Sequence, residues 1–479
     1  MLEWNFWHWL IVFQHELLLF AGVFFLIGAL DDFAVDLTWI WLKLTGRADP
    51  DKINRVQLRR RELHAPAAVF IPAWQEAGVI GETIRHMFEA WPHRNVRVYV
   101  GIYRNDTETL EAAIRCAQGD SRLRLVIHDR DGPSTKADCL NRLFEAMWDD
   151  EARAQTRFAQ VVFHDAEDMV DPAGLALLDQ AIERGVDFAQ LPVEPLPQAA
   201  RHWLGSHYCE EFAEAHGKAM VVRNAVGAGL PAAGVGCAVS RNALTILAQR
   251  EGTGLPFATD SLTEDYELGL TIAAEGGKCE FIRARGEDDL LVATRAFFPS
   301  QLETIVRQKT RWVHGIALQG WDRIGWSIGS GGSRLIEGWM RARDRRGPLT
   351  ALVLALGYTL LLVTLIIGIG GYFGMTEAAP LPPGLRVLLT VNLVFFAWRA
   401  ALRFAFTARN YGVAEGIFAV FRIPLTNVIS IISGRRAVFA YASTLLGGAT
   451  TWDKTPHDRH PTSSMFSQTT LRSFQSARQ

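Results

Sequence analysis

The chain predicts an α/β domain with a largely parallel sheet, set between apolar segments long enough to enter a membrane. Three observations predict it. Short β-branched and aromatic runs alternate with stretches of helical periodicity between residues 50 and 346. Each strand-like run closes on polar residues, and long apolar runs lie on both sides of this region.

The first element is an apolar run over residues 17–30. A bilayer needs about 20 apolar residues, so this run must recruit its flanks. Backward it crosses Gln14, His15 and Glu16; forward it crosses Asp31, Asp32 and Asp36. A carboxylate near the bilayer centre costs about 2.5–3.5 kcal/mol, which puts these acids toward an interface or against protein. No Lys or Arg precedes the run and no small-residue cleavage pattern follows it, so residues 1–49 are expected to stay as a membrane anchor.

Residues 50–346 form the second unit. Strands are predicted over 67–71, 96–102, 124–127, 159–163 and 188–191, and helices over intervening stretches such as 81–91 and 136–148. In such a domain ligands gather at the carboxyl ends of the strands.

Two clear spans follow, over 349–373 and 385–405, joined by a proline-rich turn without Lys or Arg. Arg334, Arg341, Arg343, Arg345 and Arg346 precede the first, and Arg399, Arg403 and Arg409 end the second. The positive-inside rule puts both clusters, and the domain between the membrane segments, in the cytoplasm. Arg341 and Arg345 are expected in a juxtamembrane basic patch that meets anionic headgroups. Residues 412–433 and 437–450 are apolar but broken by Glu415, Arg422, Pro424 and Arg435-Arg436; interfacial helices are expected there over spans, within a membrane region of 347–450. The polar stretch 451–479 reads as a flexible cytosolic tail.

Composition narrows the function. Of 479 residues 49% are apolar, the mean hydropathy is +0.07, and the formal net charge is −2. That balance gives no sustained basic excess for a phosphate backbone, so nucleic acid is excluded as the expected partner. Five cysteines without C-x-x-C spacing predict reduced thiols rather than a zinc site or disulfides.

The strand ends carry the candidate chemistry. After residues 67–71 come Pro72, Trp74 and Glu76, and after 96–102 come Tyr103, Arg104, Asn105 and Asp106; Glu76 and Asp106 could accept hydrogen bonds from a nucleotide, or be solvated loop acids. Lys136 opens a helix, where it could neutralise a diphosphate with the helix N-terminal amides, or simply be exposed. Asp165 and Glu167 alternate at the end of a hydrophobic strand, so their side chains share one side of the backbone. Two hard oxygen ligands suit Mg2+ or Mn2+ carrying a diphosphate; the alternative is an acid cluster capping the helix at Asp171-Pro172. Glu264 and Asp265 sit at a helix start, where they could cap it or where one could act as a general base. Gln308, Arg311 and Trp312 share a helix face at i, i+3 and i+4, suited to a sugar ring and a diphosphate, or to an ordinary amphipathic helix.

In this order and spacing the groups resemble the family 2 glycosyltransferases of the GT-A fold, a Rossmann-like α/β architecture, and above all the membrane-embedded processive polysaccharide synthases. The resemblance implies that Pro72, Glu76, Asp106, Lys136 and Asp165 hold the donor, that Asp165 and Glu167 occupy the metal-binding D-x-D position, and that Asp265, beside Glu264, is the catalytic base. Gln308, Arg311 and Trp312 match a Q-x-x-R-W motif that holds diphosphate and acceptor. Two positions depart from the pattern: Glu167 replaces the second Asp, and Tyr103-Arg104-Asn105-Asp106 replaces the usual Asp-Asp-Gly-Ser, which leaves the base contact open.

Ala29-Leu30-Asp31-Asp32, residues 163–168, residues 307–312 and Thr451-Trp452-Asp453-Lys454-Thr455-Pro456-His457 are similar to the bacteriophage adsorption protein B branch. That resemblance implies an inverting, metal-dependent enzyme of the bacterial inner membrane. It would use a UDP sugar to extend a surface polysaccharide that phages exploit, with an outer-membrane export partner. Many members of the branch continue into a cyclic di-GMP-binding domain. Two alternatives stay open: one transfer onto a lipid carrier, and a catalytically silent receptor or scaffold.

Overall fold

A computed structural model describes residues 5–117, 119–198, 200–326, 333–377, 380–447 and 460–462. Its centre is a seven-stranded sheet built from β1 (Ala67–Ala73), β2 (Val96–Tyr103), β3 (Leu123–His128), β4 (Gln160–Phe163), β5 (Phe188–Gln190), β6 (Cys237–Ser240) and β7 (Cys279–Phe281), in the order β3-β2-β1-β4-β6-β5-β7. All five expected strands are present. Two were not anticipated, because β6 and β7 are only four and three residues long and show no resolvable period. The sheet is mixed: β6 runs antiparallel to both β4 and β5, whereas the other pairings are parallel.

Successive residues of β1 enter opposite layers. Ala67, Val69 and Ile71 pack in one core, and Ala68 and Phe70 in the other. A strand covered on both faces has to be apolar at every position, which explains the unbroken run in the sequence. Pro72 follows without breaking the sheet because β4 pairs with β1 only as far as Phe70.

The N-terminal segment is one helix, Phe6–Leu44, about 58 Å long at 1.5 Å per residue. Its last turns belong to the domain core, since Val35 and Leu42 pack in the same cluster as Phe70 and Phe163. The three acids lie against protein. Asp31 accepts from Trp339 Nε1 and Arg346, Asp32 pairs with Arg343 at 2.9 Å and Arg346 at 2.7 Å, and Asp36 accepts from Lys218 at 2.5 Å and Trp398 at 2.9 Å.

These partners correct the basic-patch expectation. Arg343 and Arg346 are paired with the anchor helix, and Arg341 is 2% exposed on Glu337 and the carbonyls of Ile324 and Gly325. Arg345 stacks over Trp321 and Trp326.

Three helices, Phe6–Leu44, Gly347–Tyr372 and Pro383–Tyr411, are long and apolar enough to cross a membrane. The expected interfacial pair is divided elsewhere than expected. Val413–Phe421 and Ile423–Leu445 meet at a 53° bend, a geometry that also fits one broken span or a re-entrant loop. The break is at Arg422 rather than at Arg435-Arg436, because Arg422 is buried against Glu210 at 2.8 Å and Glu415 at 2.5 Å. Ile423–Leu445 packs on Gly347–Tyr372 so closely that a Cβ on Gly434 would collide with the Ala351 side chain. Most of the expected tail, with residues 451–457, lies outside the described residues. The described part is docked: His460 is 1% exposed, with Nε2 3.2 Å from the Asp168 carbonyl.

Candidate active site

The carboxyl end of the sheet opens into a cleft whose walls include Lys136, Asp165, Glu167, Glu264, Asp265 and Arg311. Gln308 and Trp312 close its far side. Residues from four separate stretches of sequence therefore meet in one place.

Lys136 begins the helix Lys136–Ala154, whose first turn is capped by Thr135, accepting from the Asp138 amide at 3.2 Å. The ammonium reaches across to Asp165 at 2.5 Å. Burial alone would lower its pKa; the charges of Asp165, Glu264 and Asp265 overcome that and raise it, so the lysine stays cationic.

Asp165 and Glu167 follow β4 and both face the cleft. Asp168 lines the cleft as well but is held at its base, 2% exposed, accepting from the Asp165 amide and lying 2.9 Å from His164 Nδ1. Burial raises its pKa, with His164 opposing. Asp171 holds the turn before the helix Gly174–Glu183, accepting from the Ala173 amide and from Arg55 Nε, and that helix has no side-chain cap. Asp165, which is paired with Lys136, and Glu167 offer carboxylate oxygens to the cleft, a donor type that suits a hard divalent ion. Among the described residues no three His, Cys, Asp or Glu side chains converge to hold a metal by themselves.

Glu264 and Asp265 open the helix Glu264–Ala274, and Thr263 makes no side-chain cap. Glu267 does the local work, accepting from Ser261 at 2.8 Å and pairing with Arg323 at 2.9 Å. Glu264, 8% exposed, is pushed up to about 7 by burial and then by the Asp265 charge, with Lys136 opposing. Asp265 is also raised, by burial first, against the pull of Lys136. One of its oxygens accepts from the Tyr266 amide at 2.7 Å. The other lies against Gly234, where φ is +80° and a Cβ would run into that oxygen. Only glycine fits there.

The residues expected to hold the donor divide into two groups. Lys136 and Asp165 line the acid cleft; Pro72, Glu76 and Asp106 lie at the ends of β1 and β2, outside its wall. Asp106 holds the adjoining turn, accepting from the Gln75 amide at 2.5 Å and the Thr109 amide at 3.3 Å. Thr109 Oγ1 in turn accepts from the Glu76 amide at 2.9 Å. Asn105 bonds both backbone groups of Gly132, which brings the loop after β3 over Trp74.

Gln308, Arg311 and Trp312 lie on the helix Leu302–Trp312, which is wedged between Tyr208 and the helix Ile423–Leu445. Gln308 accepts from Tyr208 Oη at 2.6 Å. Trp312 stands edge-on to Tyr208 and Phe212, with Lys309 5.6 Å above its ring.

Several contributors had no sequence signal. Tyr208, Phe212 and Phe298 make the aromatic wall around Trp312. Gln190 is fully buried and secures the 233–236 loop, accepting from the Ala233 amide and donating to the Val235 carbonyl. The glycine spacing Gly234-x-Gly236 before β6 was the one available hint.

A sequence model described as Glycosyltransferase like family 2 matches residues 64–315. Bacteriophage adsorption protein B of Escherichia coli (strain K12) and bacteriophage N4 adsorption protein B of Escherichia coli O157:H7 are each 31% identical over 464 residues, covering 91% of this chain. The chain spans 61% of the length of those relatives. Among solved structures, a mannosyltransferase, PcManGT from Pyrobaculum calidifontis in complex with GDP-Man and Mn2+, aligns over 85% of this chain and 98% of its own, with 16% identity and a TM-score of 0.47. Glucosyl-3-phosphoglycerate synthase from Mycobacterium tuberculosis with Mn2+, UDP and phosphoglyceric acid aligns over 55% of this chain and 86% of its own, with 18% identity and a TM-score of 0.33.

Proposed function

Since the chain belongs to the family 2-like glycosyltransferases and has their GT-A fold, we propose that it transfers sugar from a nucleoside diphosphate donor, a UDP sugar, onto a growing surface polysaccharide at the bacterial inner membrane. One observation carries this reading: Lys136, Asp165, Glu167, Asp265, Arg311 and Trp312 share a single cleft, and the helix that carries Arg311 and Trp312 packs on the helix Ile423–Leu445.

In this reading the nucleotide lies over the ends of β1 and β2, beside Pro72, Glu76 and Asp106, and its diphosphate points toward Lys136 and Arg311. The two side chains offset the negative charge that grows on the leaving diphosphate. Asp165 and Glu167 would hold Mg2+ or Mn2+, which when bound supplies Lewis-acid stabilisation to that diphosphate. The Asp265 carboxylate takes the proton of the acceptor hydroxyl as its oxygen bonds to the anomeric carbon, and the carbon–oxygen bond to the diphosphate breaks on the opposite face, inverting the centre. Its raised pKa makes it a stronger base than an ordinary carboxylate. Glu264 beside it, with a pKa of about 7, is only partly ionised at neutral pH, which lessens the negative charge beside the base. Trp312 offers a ring face to the acceptor sugar, and Gln308 is fixed by Tyr208 at its back. The positive clusters at the ends of the apolar helices orient the domain to the cytoplasm, and outward passage of the product calls for an export partner in the outer membrane.

Membranes containing the full chain test this by UDP release from UDP-glucose, UDP-N-acetylglucosamine and UDP-N-acetylmannosamine, with and without a chelator. A ladder of oligomers is expected from one donor, dependent on divalent metal. One added sugar on a lipid carrier would overturn polymerisation. Asp265→Asn is expected to lose activity by about 10^3-fold with folding unchanged, and retained activity would overturn the enzymatic assignment of that residue.

A further inference from the structure

A second cavity, about 320 Å³, lies at the foot of the membrane-length helices Phe6–Leu44 and Pro383–Tyr411, where both meet the catalytic domain. It touches the catalytic cleft only through Val193 and Phe212, which line both. The helix side is apolar, made by Trp39, Leu402, Ala405, Phe406 and Tyr411. Four cations share the cavity, Arg283 and Arg285 from the domain and Lys43 and Arg409 from the ends of the two helices.

The acids nearby do not balance them. Glu194 is taken by Arg295 at 2.7 Å, and Asp49 pairs with Lys43. Asp289 lies 3.7 Å from Arg409 and 4.0 Å from Arg285, and also pairs with Lys52 at 2.7 Å. The Arg283 side chain donates to the Ala48 carbonyl at 3.1 Å, its buried Nε has no hydrogen-bond partner among the described residues, and Asp49, which already pairs with Lys43, is the acid that opposes its charge. Burial, followed by Arg285 and Arg409, lowers its pKa to about 10. His216, also on the wall, accepts from the Val193 amide and is lowered by burial to about 4, so it adds no charge. A partly desolvated, undercompensated cation is costly unless an anion meets it.

We propose that this cavity binds a phosphate-bearing amphiphile from the bilayer, with its headgroup on Arg283, Arg285 and Arg409 and its hydrocarbon along Trp39, Leu402 and Phe406. The volume falls within the ordinary range of small-ligand sites, and the polarity runs from apolar helix faces to basic domain surface, as an anionic lipid at an interface requires. Neither the family relationship nor the transferase reading assigns this site, and its test reads lipid occupancy rather than sugar transfer.

The full chain is reconstituted into phosphatidylcholine vesicles alone, with added phosphatidylglycerol, or with added polyprenyl phosphate, then released into detergent and weighed by native mass spectrometry. One retained phosphate-bearing lipid per chain is expected, against none from phosphatidylcholine alone. Preference for phosphatidylglycerol would identify a bilayer phospholipid, and preference for polyprenyl phosphate a carrier lipid; either supports the site. Arg283→Gln is expected to weaken retention about fivefold, and Ala405→Trp, which fills the apolar arm and leaves the charges, is expected to abolish it. Equal retention of phosphatidylcholine, or no effect of either variant, would overturn the proposal. Full competition by inorganic phosphate would do the same, since it would make the cavity a site for free anions.

Discussion

Replacing Glu264 by glutamine isolates the electrostatic cost of two adjacent acids in a buried cleft. Glu264 is 8% exposed and its pKa rises from 4.5 to about 7 through burial and the neighbouring Asp265 charge. That rise corresponds to about 3 kcal/mol. The sign follows from proton binding: between about pH 4.5 and 7 the folded chain holds a proton that the unfolded chain releases, so stability falls as pH rises through this window. Above the window the whole penalty is present. The amide of Glu264→Gln carries no such charge, so the variant is expected to match the parent near pH 4.5 and exceed it by about 3 kcal/mol near pH 8. For a domain of this size that is a rise in Tm on the order of 5–10 °C. Thermal unfolding of both proteins, followed across this pH range in one detergent, reads the difference directly. Parallel curves at every pH would refute the argument, because they would mean that Glu264 ionises as freely in the folded chain as in the unfolded one.

Trp312→Ala is expected to raise the acceptor KM about tenfold while leaving donor hydrolysis intact, as steady-state kinetics with and without acceptor will show. Gly234→Ala should place a methyl group where the Asp265 oxygen lies; a displaced base predicts a kcat loss of about 10^2-fold with nucleotide affinity retained, checked by turnover against UDP binding. Arg422→Ala leaves the Glu210 side chain, which is 0% exposed, with only the distant Arg403 at 3.9 Å as a counter-charge, so a loss of about 3 kcal/mol is expected. Unfolding measurements on Arg422→Met with Glu210→Leu should recover most of it.

Much of the framework was legible in sequence because its causes are local. Residues 67–71 are apolar at every position since both faces of β1 are covered, and the acids after β4 stand out because they end such a run. The antiparallel β6 was not legible: four buried residues carry no period, and their partners β4 and β5 are distant in the chain. The arginines at 341–346 misled for a related reason. A charge cluster before an apolar helix looks solvent-facing until its partners are seen: Asp31 and Asp32, some 310 residues earlier, hold Arg343 and Arg346, while Arg341 is buried on Glu337 and the Ile324 and Gly325 carbonyls and Arg345 lies over Trp321 and Trp326.

Residue order alone was enough to specify the kind of domain, the three long apolar helices and the ordered series of acids, amide, arginine and tryptophan that mark a transferase. How the acids divide their work came from the packing. Asp168, Asp171, Asp106 and Glu267 accept from nearby amides, hydroxyls or cations and hold loops in place. Asp165, Glu167, Glu264 and Asp265 face one cleft around Lys136. A carboxylate's role depends on which donors and charges lie within a few ångströms and how much water reaches it. Chain order does not encode those distances; the packing of elements far apart in sequence sets them.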